Sequence, residues 1–163
     1  MNIMQPHLRV LLCALVAGTL CWDVSADGLR NVKHGEKVPD FEMSTTAGKT
    51  FSSKFSRGKV LVVVYLSAEQ MSSERAAADA SNIAQKLGRK DLEVVCVPAD
   101  IVHKAYCASL WKRMEIKAPL CLDTGRKFYS QLGLIVFPTT IVIDKEGKLD
   151  HVISTRGSNY AFA

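Results

Sequence analysis

The longest uninterrupted apolar block in this chain outside its first residues is Val60–Leu66. It is β-branched and lacks polar alternation, which predicts a strand buried on both faces. A small polar turn, Ser67–Ser73, follows, and a helical pattern then runs to Gly88, a residue suited to a helix C-terminus. Ser67 reads as the N-cap, with Gln70 three residues later completing a capping box. Ala76, Ala80, Ile83, Ala84 and Leu87 make the apolar face of that helix. Leu92–Val97 repeats the buried-strand pattern and is broken by Pro98.

Upstream, Val38–Met43 alternates apolar and polar, which predicts a short edge strand with Pro39 confined to its start. Thr46–Lys49 turns the chain, and Thr50-Phe51 begins the returning strand of a hairpin. Phe55 is the expected anchor of this piece on the sheet. Residues 27–37 read as a loose, polar linker. Downstream, Val102–Met114 is predicted as a helix with Val102, Tyr106, Leu110 and Met114 facing inward. Pro119–Leu122 reads as a short strand and Arg126–Leu132 as a short helix stopped by Gly133. Thr140–Ile143 and Leu149–Ile153 flank the hairpin turn Asp144–Lys148. The predicted order is β-hairpin, β, α, β, α, β, α, β, β. This is an α/β chain whose first long helix starts at the carboxyl edge of a sheet, where ligands and chemistry usually sit.

Composition adds the domain count. With 163 residues, 48% hydrophobic and 23% charged, the chain suits one globular domain, here residues 38–163. Residues 1–26 stand apart. One cation, Arg9, precedes the apolar run Val10–Leu20, and Val24-Ser25-Ala26 supplies small residues at signal-peptidase spacing. The run is too short to cross a bilayer comfortably, so a cleaved secretory signal is expected, with a core helix or an uncleaved anchor as the other readings. Leu20 and Trp22 around Cys21 fit a lipobox poorly. Cleavage removes Arg9 and Asp23, which cancel, and leaves the net charge at +5. The cations are scattered and not interleaved with aromatics, so nucleic acid is not an expected partner, nor is a membrane after cleavage.

Of the five cysteines, Cys96, Cys107 and Cys121 lie in the expected mature chain. An exported compartment permits disulfides, and three thiols leave at least one unpaired within the chain. Cys96 falls inside a predicted strand, where a buried thiol behaves as a small hydrophobe. Cys107 lies four residues after His103 on one helix face, where the imidazole would promote a thiolate or the pair would supply two metal ligands. Two ligands do not make a site, and no metal or cofactor is expected.

The order and spacing of several stretches resemble the thioredoxin-like superfamily, and within it the extracytoplasmic redoxin and thiol–disulfide oxidoreductase branch. These are Val38-Pro-Asp-Phe41 with Gly48, Gly58–Val64, Leu92–Val97, Pro119–Asp123, and Phe137–Asp144 with Gly147-Lys148. The resemblance implies a thioredoxin-like fold, with a central mixed sheet and an N-terminal β-hairpin. It also implies a cis peptide bond at Pro138, facing the turn after the central strand, with Phe137, Pro138 and Thr139 forming a groove for an extended segment of a partner protein.

The departures from that family concern chemistry. Thioredoxin-like oxidoreductases carry Cys-x-x-Cys at the turn, where the helix N-terminus lowers the first thiol's pKa. Aligned on the strand, those positions fall at Gln70 and Ser73, within the turn Glu69-Gln70-Met71-Ser72-Ser73. Neither forms a disulfide, and a serine nucleophile needs a neighbouring base. The peroxiredoxin pattern Thr-x-x-Cys is missing too. The family's last helix is missing or very short in Ser158–Ala163, so an uncovered sheet face is expected to favour self-association. The leading expectation is an exported binding or accessory module without conventional dithiol exchange. The alternative is an oxidoreductase or antioxidant using a displaced cysteine, Cys107 or Cys121. A structural subunit docked through the uncovered face is the third.

Overall fold

Every described element of the computed structural model, which covers residues 28–154, follows the predicted order. The hairpin is β1 (Glu42–Thr45) and β2 (Thr50–Ser52), and the central strand is β3 (Val60–Leu66). Then come α1 (Met71–Leu87), β4 (Leu92–Pro98) and α2 (Lys104–Arg113). The chain continues through β5 (Cys121–Leu122), α3 (Lys127–Leu132), β6 (Thr139–Ile143) and β7 (Leu149–Ser154).

Four strands make the main sheet in the order β4-β3-β6-β7, with β3 parallel to β4 and antiparallel to β6. A second sheet, β2-β1-β5, is joined to it by a parallel bridge between Cys96 and Leu120. Because side chains alternate across a strand, β3 serves two cores. Leu61, Val63 and Tyr65 face one layer with Phe41, Met43, Phe128, Leu132 and Ile141. Val64 and Leu66 face the other with Ala76, Ala77, Cys96, Cys107 and Leu110. Burial of each Val or Leu side chain contributes roughly 1.5–3 kcal/mol, so this two-sided strand is the main source of cohesion. It is a mixed α/β, thioredoxin-like architecture.

Several sequence expectations are corrected. Residues 28–37 are docked rather than loose: Leu29 and Val32 enter the core, and Leu29 bridges Leu134. The first strand begins at Glu42, four residues after Val38, because the Val38 amide donates to Gly147 O instead of a hairpin partner. Phe55 is 82% exposed; Phe41 and Phe51, with ring centroids 6.0 Å apart, anchor the hairpin in its place. On α1 the inward face is Ser73, Ala76, Ala77 and Ser81, while Ile83 and Leu87 are exposed. Ser81 is buried because its hydroxyl accepts from the Lys117 and Ala118 amides at 3.0 and 3.4 Å. The predicted second helix divides into a 3-10 turn, Ile101–His103, and α2. Asp100 caps the turn through the Val102 amide, and Val102 itself is 83% exposed. Cys107 and Leu110 carry the buried face of α2, and Met114 is exposed.

The predicted signal, residues 1–26, and the short C-terminal segment lie outside the described residues. On the α1 side of β6 and β7, Val142 is half-buried and Ile153 exposed. No described helix is long and apolar enough to cross a membrane.

Candidate functional site

The turn between β3 and α1 lies at the carboxyl edge of the sheet, beside the segment that enters β6. The register sets this, since Tyr65 near the end of β3 pairs with Thr139 at the start of β6. Glu69 adopts a left-handed conformation at φ 61°, which reverses the chain and exposes its carboxylate. The helix then starts at Met71 with Gln70 as its N-cap. Ser67 is not the cap, and the expected capping box does not form. Instead the Gln70 carbonyl accepts the Ser73 and Glu74 amides at 2.9 and 3.0 Å.

The side chains of the turn form one chain of hydrogen bonds. The Ser67 amide donates to Ser73 Oγ at 3.1 Å, and Ser73 Oγ donates to Gln70 Oε1 at 3.0 Å. Gln70 Nε2 in turn donates to the Phe137 carbonyl at 3.4 Å. Ser73 is fully buried, Gln70 and Met71 are exposed, and Ser72 is half-buried. The three residues Phe137, Pro138 and Thr139 thus lie next to the turn, with the Phe137–Pro138 peptide bond cis. Thr139 is fully buried, and its hydroxyl donates to Val136 O at 2.8 Å.

Beneath this edge lies a support that sequence reasoning missed. The Tyr65 hydroxyl donates to Asp123 Oδ2 at 2.7 Å. Asp123 also accepts from the Phe128 and Tyr129 amides at 3.1 and 2.9 Å, which ties the start of α3 to the central strand. Burial, reinforced by the Asp123 bond and charge, pushes the Tyr65 phenol far above its usual range. The Tyr65 ring packs 5.9 Å from Phe137, and Tyr129 stacks on Phe137 at 6.0 Å, with the Arg126 guanidinium over Tyr129. The sequence separation of 58 between Tyr65 and Asp123 leaves no local signal of this pairing.

The thiols are elsewhere. Cys96, Cys107 and Cys121 are all free and fully buried. Cys96 packs in the α1 layer and Cys121 in the opposite one, so the sheet itself separates them. Burial raises all three thiols, Cys121 to about 12, with the Glu93 charge adding to its shift. On Cys107, the Glu74 charge works in the same direction as burial. His103 is not paired with Cys107: its Nδ1 faces Glu69 Oε1 at 3.8 Å, because the 3-10 turn puts it at the helix end. Among the described residues no group of three or more His, Cys, Asp or Glu side chains forms a metal centre. As folded, the edge offers hydrogen-bonding groups and an aromatic wall, and none of the described thiols lies on it.

The redoxin family profile matches residues 33–159. The thiol-disulfide oxidoreductase ResA of Bacillus cereus is 25% identical over 142 residues, spanning 87% of this chain and 81% of ResA. ResA of Bacillus subtilis is 24% identical over 147 residues, spanning 90% of this chain and 80% of its own. Among solved structures, the thioredoxin domain of a thiol-disulfide oxidoreductase from Bacteroides vulgatus superposes with a TM-score of 0.67 at 16% identity, over 76% of this chain and 91% of that domain. The exposed lipoprotein thioredoxin Etrx1 of Streptococcus pneumoniae superposes with a TM-score of 0.62 at 25% identity, over 74% of this chain and 92% of its own.

Proposed function

The chain belongs to the redoxin family, and we propose that it is an exported member that binds an extended segment of a partner protein beside Pro138, without conventional dithiol exchange. The observation that carries this reading is the Gln70–Ser73 hydrogen bond at the turn, in a chain whose described thiols are all buried. A thiol–disulfide exchange needs an accessible thiolate to attack a disulfide sulfur. Burial works against both requirements at Cys96, Cys107 and Cys121. The relatives are named thiol-disulfide oxidoreductases, and the partner proposed for this chain is a polypeptide lying in extended form beside Phe137, Pro138 and Thr139.

Binding would rest on main-chain hydrogen bonds at the sheet edge and on side-chain contact with Phe137 and Tyr129, as in other recognition of extended peptides. Export is supported by the pattern of residues 1–26 and by likeness to a pneumococcal protein described as an exposed lipoprotein thioredoxin. An oxidoreductase that uses Cys107 or Cys121 ranks second, because either thiol would first have to leave the core.

The test is titration of the isotope-labelled protein with S-carboxamidomethylated insulin B chain, which is unfolded and has no thiol or disulfide to exchange. The expected result is saturable binding with amide shifts concentrated at residues 67–74 and 136–139. Absence of binding, or shifts confined to another face, would contradict the proposal.

A further inference from the structure

An exposed glutamine side chain is ordinarily free among rotamers, yet Gln70 is tied at both ends of its amide. Ser73, fully buried and itself held by the Ser67 amide, fixes Oε1. That leaves Nε2 aimed at the Phe137 carbonyl. The β3–β6 ladder ends at the Tyr65–Thr139 pair, so Phe137 lies beyond it. Its carbonyl receives no other donor among the described residues. The acceptor that an added main chain would use is therefore already taken by a side chain of the same molecule.

The donor–acceptor distance of 3.4 Å is long for an N–H···O bond, so the contact is weak and exchangeable. Resting on the reading of this edge as a peptide-binding groove, we infer that Gln70 is an internal competitor for the Phe137 carbonyl, held in its blocking rotamer by Ser73. An incoming segment displaces the Gln70 amide before its own N–H reaches that oxygen. The device sets a threshold: segments that donate well at this position enter, and segments that cannot, such as those placing proline there, gain nothing from displacing Gln70. A swap of one amide donor for another conserves the count of hydrogen bonds, so its net effect on affinity is modest and tunable.

Two variants separate the blocking bond from the Ser73 anchor. Gln70→Ala removes both. Gln70→Glu keeps an acceptor for the Ser73 hydroxyl, but its carboxylate does not donate to Phe137 O and is repelled by it. The probe is fluorescein-labelled S-carboxamidomethylated insulin B chain, followed by anisotropy, with the folding of each variant checked by its amide spectrum. The Gln70 side-chain amide of the free wild type is read by NMR for contact with Phe137 and Pro138. The expected results are that contact in the free protein, its loss on adding the probe, and binding tightened about two- to tenfold in both variants. A free Gln70 amide in the unliganded protein, or variant affinities equal to or weaker than wild type, overturns the competitor and leaves peptide binding intact. Failure of wild type and both variants to bind the probe overturns the competitor and the binding reading together.

Discussion

Ser73 donates a 3.0 Å hydrogen bond to the side chain of Gln70, which ties the N-cap of α1 to the buried face of its first turn. The bond is part of the fold's cohesion, since Ser73 also accepts the Ser67 amide in a fully buried position.

Ser73→Ala should therefore destabilise the domain. It removes the side-chain acceptor of the Ser67 amide and releases the Gln70 carboxamide. A buried donor left without its partner costs about 1–3 kcal/mol. Urea denaturation should show a lowered midpoint with an unchanged slope; a midpoint equal to wild type would mean the relay contributes nothing.

Tyr65→Phe should weaken the joint between the central strand and α3. The substitution keeps the ring contact with Phe137 but leaves Asp123 with two donors in place of three. Loss of a hydrogen bond to a buried carboxylate costs about 1.5–3 kcal/mol. Asp123→Ala should cost more, because the Phe128 and Tyr129 amides lose their acceptor too. The two substitutions together should cost less than the sum, as measured by a double-mutant cycle.

Raised acid groups make the fold sensitive to alkali. Burial lifts Cys121 to about 12 and raises Cys96 and Tyr65 as well, so the folded state holds these protons after the unfolded chain begins to lose its own. Their contribution is whole below about pH 8.5, the thiol's unfolded value, and declines as pH rises through the folded values. The urea midpoint should fall between pH 8 and pH 10, and Cys121→Ala should reduce that fall. A midpoint that rises over this interval would contradict the assignment.

The same burial predicts slow chemistry at sulfur. Iodoacetamide at neutral pH should leave Cys96, Cys107 and Cys121 unmodified in the folded protein and alkylate all three in urea. Peptide mapping by mass spectrometry reads each site. Fast native labelling of Cys107 or Cys121 would instead favour the displaced-cysteine oxidoreductase.

Much of the architecture could be read from the sequence because β3 is a continuous apolar run, β4 is valine-rich, and Gly88 and Gly133 both end helices in the left-handed conformation. The rotation of α1 could not be read so. Its inward face carries Ser73 and Ser81, whose burial is made tolerable by hydrogen bonds to residues distant in sequence or across the turn. Hydropathy therefore put Ile83 and Leu87 inside. Phe55 misled for a related reason, since Phe41 and Phe51 already fill the position under the hairpin. At the site, residue identities at 70 and 73 were visible, but the relay from Ser67 to Phe137 was not. It depends on a left-handed Glu69 and on the cross-strand register that puts Tyr65 opposite Thr139.

The most direct test of the central claim is dithiothreitol-driven reduction of insulin by the wild-type protein and by the Q70C/S73C variant. Wild type should stay at the rate of dithiothreitol alone, and the double variant should accelerate precipitation of the insulin B chain, because two thiols now stand at a helix N-terminus beside Phe137 and Pro138. Wild-type catalysis above background that is abolished by Cys107→Ser or Cys121→Ser would contradict the claim that this redoxin has no working dithiol chemistry.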